Sequence, residues 1–582
     1  MTGPDSAVRR PAAPPETADR TAAASAVPAV PAATSVPAAT AVPAAAAGRQ
    51  RASRLAGFAG TAALVRLAVR RDRILLPVWL LVFAATAASA ASATDGVYPT
   101  AEDRVRAAAG INDTAALVAL YGRIYQPSLG AIAMIKLSGL VAAMVAVLVI
   151  VLVIRHTRAE EEAGRLELLG AAAVGRYAPL TAALLVTGGT SVLLGLLTAG
   201  ALAGSGLPGA GSLAFGLAWA GVGLVFTAVA AITAQLTTSA RAAIGLAVSA
   251  LGVTYLLRAV GDSATAGGPR WLSWLSPIGW GQQMRPYAGE RWWVLAVPVL
   301  ASVALAAGGY ALAARRDLGA GLLPDRPGPA TGRLGSPLAL AWRLHRGAVA
   351  GWAAAFTLGG LLFGSIAGNV SGLLDSPQAR DLVTKLGGEK GLTDAFLATE
   401  LSVLAVIAAA YGVQAVLRLR AEETSQRAEP VLATAVSRLR WAGSHLAVAL
   451  AGTVLLLAGA GLGAGVARAI DTGDAGQIGQ LVGDALVQVP AGWVLVGIVV
   501  AAFGLLPRAI VVGWAALVVF LLLGEFGPLF KLSQPVMDVS PFAHLPKVPG
   551  VPVTVQPLAW LVAVAAALMV AGLLGFRRRD VG

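Results

Sequence analysis

The chain has 582 residues, 57% of them hydrophobic and only 13% charged, with a formal net charge of +14 and a mean hydropathy of +0.73. A soluble protein of this length carries roughly 25% charged residues to solvate its surface, so a water-covered globule is excluded and lipid must cover most of the outside. The absence of Cys removes disulfides, thiol nucleophiles and Cys-based zinc or iron–sulfur sites, and four scattered His residues offer no metal-ligand spacing. No cofactor is expected on this chain. The positive charge is better explained by cytoplasmic loops rich in Arg than by a nucleic-acid partner.

In chain order, residues 1–48 are low-complexity Ala/Pro sequence with little apolar bulk, read as a disordered tail. An Arg-rich stretch (Arg49, Arg51, Arg54, Arg66, Arg70, Arg71, Arg73) precedes the first apolar run. A bilayer core needs about 20 apolar residues in helix. On that criterion spans are predicted near 74–94, 132–154, 178–203, 212–236, 242–260 and 292–313, then near 348–368, 399–417, 442–466, 485–505, 508–530 and 557–576. Twelve is the expected count, with eleven to thirteen as its range. With the N-terminus inside, cytoplasmic segments hold about 30 of the 44 basic residues, which predicts that both termini are cytoplasmic. The fold class expected is an all-α polytopic membrane protein of the bacterial inner membrane.

The sequence repeats itself. Arg158–Arg176 aligns with Arg420–Arg438 at an offset of 262 with identity at 10 of 19 positions, Ser276-Pro277 with Ser540-Pro541 at 264, and Arg316-Asp-Leu-Gly with Arg579-Asp-Val-Gly at 263. Six spans per half is an even number, so the halves are parallel repeats that enter from the same side. The expected organisation is a tail (1–48), a first six-span half (49–319), a cytoplasmic linker (320–341) and a second six-span half (342–582).

The repeated Arg/Glu segment follows the second span of each half. In the first copy Leu166, Leu169 and Val174 are spaced to share one face of a short helix, with Glu and Arg on the other, as in an interfacial helix. The alternative is an ordinary positive-inside loop, but the positive-inside rule gives no reason to keep Glu in both copies.

Glu162-Ala-Gly-Arg-Leu-Glu-Leu-Leu169, ending in Val174-Gly-Arg176, resembles the element after the second span of ABC type 2 (export-type) permeases, where a short coupling helix contacts the ATPase. Arg427-Ala-Glu-Pro-Val-Leu-Ala-Thr-Ala-Val-Ser-Arg438 is similar, departing from the first copy at Thr424-Ser-Gln and Pro430. The Ser-Pro pairs before each sixth span fit the same family, whose nearest form is the fused twelve-span permease described as an exporter of polyketide antibiotics or other drugs. The resemblance implies coupling roles for Arg158, Glu160, Glu161, Arg165, Glu167 and Arg176, and for Arg420, Glu422, Glu423, Arg427, Glu429 and Arg438. Their carboxylates are expected to meet basic residues of the ATPase, setting orientation more than affinity. It also implies a cytoplasmic ABC ATPase in two copies, with ATP and Mg bound there, and a small hydrophobic substrate. None of the five Lys residues follows a Gly, so a P-loop is excluded, and no extramembrane stretch is long enough for a nucleotide-binding domain.

Ionisable residues within spans are costly, about 2.5–3.5 kcal/mol at mid-helix, and mark function by default. Lys136 and Glu400 occupy corresponding places, as do Arg258 and Glu525. Two readings stay open for them: pairing of opposite charges across the repeat axis, or snorkelling to the outer headgroups. Residues 261–291, with Trp271, Trp274 and Trp280 and followed by Trp292 and Trp293, suit either re-entrant turns at an outer gate or an interfacial aromatic belt. Two other functions compete with export: an ion-coupled secondary transporter, disfavoured by charges near span ends, and a membrane enzyme acting on lipid-linked substrates, disfavoured by the lack of clustered Asp, His or Arg outside.

Overall fold

In the computed structural model the described residues are 56–170, 174–264, 268–323, 334–368, 388–506, 512–526 and 533–579. The expected tail and part of the linker lie outside them. Among the described residues, eleven helices are long and apolar enough to cross a membrane, and Val512–Leu521 is a shorter apolar helix at the place of the expected eleventh span.

The first half begins with α1 (Thr61–Arg71) and the first span α2 (Leu75–Val97). Two short helices, α3 (Ala101–Asp113) and α4 (Ala115–Tyr121), lead to the second span. That span is built from α5 (Leu129–Lys136), a π-helical turn (Leu137–Val141) and α6 (Ala142–His156). The chain bends at Thr157 into α7 (Arg158–Glu162) and α8 (Arg165–Gly170). Spans α9 (Ala178–Gly204), α10 (Gly209–Leu236) and α11 (Ala240–Ser263) follow. The turn α12 (Pro277–Gln283) and the sixth span, whose main helix is α13 (Ala296–Ala313), complete the half.

The second half repeats this order: α14 (Pro337–Ala367), α15 (Gly388–Thr424), α16 (Ala428–Leu432), α17 (Arg438–Thr472), α18 (Gly476–Val487) continuing as α19 (Val489–Leu505), α20 (Val512–Phe526) and α21 (Val555–Arg578). Its second span runs unbroken through α15, where the first half has a π turn and a bend.

Without a hydrophobic drive between helices in lipid, helices pack through small residues and close van der Waals contact. The fourth span of each half accordingly forms its core: 78% of the apolar window of α10 and 72% of that of α18–α19 are buried, against 17% and 22% for the sixth spans. Phe215, Trp219 and Phe226 of α10 centre the first core, and Leu495, Val499 and Phe503 of α19 centre the second. The halves touch through Leu117 of α4 and Ile366 of α14. Gly360 and Gly364 of α14 let its backbone lie against Ala460 and Ala464 of α17, where a side chain would collide with carbonyl oxygens.

Candidate functional site

The helix ends that carry most of the arginines gather at one end of each half, and the Arg/Glu segment is knotted into that end. Arg158 opens α7 and is 1% exposed. A buried guanidinium is costly unless its donors are used; here Nε and Nη2 both donate to Ala234 O at 2.9 and 2.7 Å, and Nη2 also reaches Ala320 O at 3.1 Å. Nη1 lies 3.1 Å from Glu161. Glu161 in turn receives a two-pronged grip from Arg316, Nη1 to Oε1 at 2.6 Å and Nη2 to Oε2 at 2.9 Å, and the Gly319 N–H at 2.6 Å. Parallel N–H···O bonds of this kind combine strength with fixed orientation. Arg176, just before α9, donates to Ala313 O and Arg316 O at 2.9 and 2.6 Å. The segment is thereby tied to the ends of the fourth and sixth spans.

The second copy repeats the device. Glu423 is bonded by Arg579 at 2.8 Å and by Arg420 at 3.0 Å, and Arg438 donates to Arg579 O at 2.5 Å. Glu161 and Glu423, Arg158 and Arg420, Arg176 and Arg438, and Arg316 and Arg579 are the residues aligned by the repeat. Even the backbone agrees: Gly164 and Gln426, aligned at 262, both adopt positive φ (69° and 58°) between the two short helices. Glycine takes that conformation freely, whereas Gln pays a steric penalty.

The predicted coupling residues therefore divide into two sets. Glu161, Glu422 and Glu423 are buried, the last two held by Arg418 at 3.3 Å and by Arg420 and Arg579. Glu160 is engaged within the chain by Arg71 and Arg165. These four carboxylates have internal partners. Arg165, Glu167, Arg176, Arg427 and Glu429 are exposed, and Arg438 is half-buried. Arg165 is held above the usual guanidinium range by its bond to Glu160.

At the opposite end of the spans, Arg258 is completely buried and does not snorkel. Its guanidinium pairs with Asp262 one turn on at 3.4 Å, donates to Ala119 O and Leu120 O at 2.5 and 3.2 Å, and lies over the Tyr255 ring at 4.5 Å. All these partners belong to its own half. Asp262 accepts from Ser273 Oγ at 2.6 Å, so this network also fixes the turn Arg270–Leu275. Lys136 is exposed and Glu400 half-buried, while the Glu525 side chain falls outside the described residues. Residues 270–283 form short helical turns; Trp274 stacks on Trp293 at 5.8 Å, and Trp271, Trp292 and Trp293 remain largely exposed. Ser276 caps α12 and Ser540 precedes the turn Pro541–His544, so each Ser-Pro pair starts a helical turn. Tyr287 plugs the space between α5 and α10, its hydroxyl 3.0 Å from Ser212 Oγ and pushed up to about 12 by burial.

Sequence reasoning did not single out Arg316, Arg579, Arg71 or Asp72 as site residues. For the first two the signal was present, since they lie on the repeat diagonal. Asp72, fully buried between Arg155 (3.0 Å) and His156 (2.6 Å), has no such mark.

The sequence matches the family described as multidrug efflux system permease Rv1217c, C-terminal domain, over residues 62–316 and 334–577. It is 46% identical over 540 residues to the multidrug efflux system permease protein Rv1217c of Mycobacterium tuberculosis, covering 92% of this chain and 98% of that protein. With eleven candidate spans among its described residues, this is a multi-pass protein of the bacterial plasma membrane. The chain belongs to the Rv1217c family of multidrug efflux system permeases.

Proposed function

We propose that the chain is the membrane-spanning subunit of an ATP-driven exporter of the ABC type, moving a hydrophobic or amphipathic, drug-like compound out of the cell. It works as a transporter, not as an enzyme. Hydrolysis of ATP with Mg takes place on a separate ATPase, bound in two copies at the arginine-rich, cytoplasmic end; the chain's own sequence has no P-loop lysine.

The observation that carries this reading is the doubled latch. A push on α7–α8 passes through Arg158 to the end of α10 and through Glu161 and Arg316 to the end of α13. A push on α16 passes through Glu423 and Arg579 to α21. Each half thus has one lever that moves its second and sixth spans together, as two ATPase copies closing on each other require. The exposed Arg165, Glu167, Arg427 and Glu429 are the groups that meet the ATPase, and the buried carboxylates transmit the motion. Rim charges of that kind set orientation. The test is reconstitution of the chain in liposomes with its ATPase: lipophilic compounds are expected to stimulate hydrolysis and to be moved in an ATP-dependent manner. Hydrolysis indifferent to every compound tried, or movement without the ATPase, contradicts it.

A further inference from the structure

The two latches differ in what lies beside them. Next to Arg579 in the second half, Trp441, Phe503 and Phe576 form a buried aromatic stack, with Phe576 5.8 Å from Trp441 and 5.0 Å from Phe503. The Arg579 guanidinium covers it, 4.8 and 5.2 Å from the two Phe rings. In the first half the repeat places Pro179 where Trp441 stands and Ala313 where Phe576 stands. The place against the arginine that Phe503 holds is taken by Gln235, which accepts from Arg316 Nε at 2.6 Å. In place of the aromatic plug there is a cavity of about 420 Å³.

Its walls specify the occupant. Arg316, Glu161 and Arg176 are committed to one another or to backbone carbonyls, as described above. An anion would have to break those bonds, and the Asp317 carboxylate in the same wall repels it. The rest of the wall is Leu166, Val174, Pro179, Leu180, Ala313 and Leu318, with Thr157, Gly175, Gln235 and the exposed carboxylate of Asp317. The volume falls in the range of drug-sized pockets, about 300–1,000 Å³, which combine apolar lining with a few fixed polar groups. A groove between α14 and α17, lined by Leu338, Trp342, Val349 and Leu455 among others, contains no charged residue. The cavity beside Arg316 is of another kind: it lies next to the Arg/Glu segment and includes charged side chains in its wall.

We propose that this cavity is a binding site for one lipophilic compound without negative charge, present in the first half and plugged in the second. Binding there stands on the geometry alone; that the site loads the exported compound rests on the exporter reading.

The test uses the purified full chain in lipid nanodiscs, without ATPase or nucleotide, and a small uncharged aryl diazirine as photoreactive probe, with labelled peptides mapped by mass spectrometry. Labelling is expected at the Leu180 and Leu318 peptides and not at the repeat-related peptide around Ala442. Ala313→Phe, which imports the second half's side chain, should lower first-half labelling by about tenfold. Leu180→Trp fills the same space from another wall and serves if Ala313→Phe does not fold. Phe576→Ala should create new labelling around Ala442. Equal labelling of both halves in the unmodified chain, unchanged labelling in the filled variants, or suppression by raising the phospholipid-to-protein ratio, which marks an acyl-chain site, overturns the proposal. Because no ATPase is present, a failed exporter reading leaves these results untouched.

Discussion

The two halves use the same ion pairs to different ends. In the first half Arg158 is sunk among carbonyl oxygens, the second span is broken by a π turn and a bend, and an open cavity lies beside Arg316. In the second half the second span is continuous, Arg420 is only partly buried, and aromatic rings close the same space. Duplication preserved the charged lever and let the packing around it diverge. The first half leaves open the space that the second half fills.

The largest expected effect comes from removing the plug. Phe576→Ala takes out a fully buried ring, and loss of such a side chain costs about 3–5 kcal/mol. Ala313→Phe in the first half should cost far less, because space exists for it; thermal unfolding of the two variants in detergent compares them directly. If both destabilise equally, the halves do not differ in packing.

Breaking a latch comes next. Arg316→Ala leaves Glu161 buried with one fewer partner, and unpairing a buried ion pair costs about 3–5 kcal/mol. The same change at Arg579 should cost about as much, because Glu423 keeps Arg420 as Glu161 keeps Arg158. Replacing both members of the first pair by Gln should recover part of the loss, and a double-mutant cycle measures the coupling.

A smaller effect tests how closely the fourth and sixth spans approach. Gly572 of α21 faces the Val500 carbonyl so closely that a methyl group cannot fit, whereas a methyl group on its repeat counterpart Gly309 would lie 3.4 Å from Ala231 Cβ, ordinary contact. Gly572→Ala should destabilise by about 1–3 kcal/mol, typical of overpacking, and Gly309→Ala should be near neutral. The smallest effect concerns the turn: Gly164→Gln should cost about 1 kcal/mol for a side chain in left-handed backbone, while Gln426→Gly should be neutral or slightly stabilising. Equal responses would remove the shared turn from the account.

Much of this was legible in the sequence because a bilayer imposes a length rule. Eleven of the twelve expected spans appear among the described residues, most edges within a few residues of prediction, though the seventh begins at 337 rather than 348 and the tenth at 476 rather than 485; the expected eleventh is the shorter helix α20, bordered by residues outside the described set. The Arg/Glu segments were legible because they occur twice. Their internal partners were not, since Glu161 and Arg316 stand 155 positions apart and Glu423 and Arg579 stand 156 apart, and no local pattern joins them. Reading the Glu residues as surface charges missed that a buried carboxylate needs a partner from the same chain. Arg258 teaches the converse: Asp262 at i+4 was its nearest helical neighbour, and the search across the repeat axis passed over it. The cavity was beyond reach, because it depends on side-chain volume at three positions on three different helices.

The most direct test of the central claim, that the latches carry motion from an ATPase to the spans, is the ratio of compound exported to ATP hydrolysed in proteoliposomes. The unmodified chain is compared with Glu161→Gln/Arg316→Gln, in which the pair loses both charges and its two-pronged bond. The account predicts that hydrolysis continues while export per ATP falls by about tenfold or more, as expected when a coupling free energy of about 1.4 kcal/mol is lost. An unchanged ratio in a folded, ATPase-bound variant would contradict it.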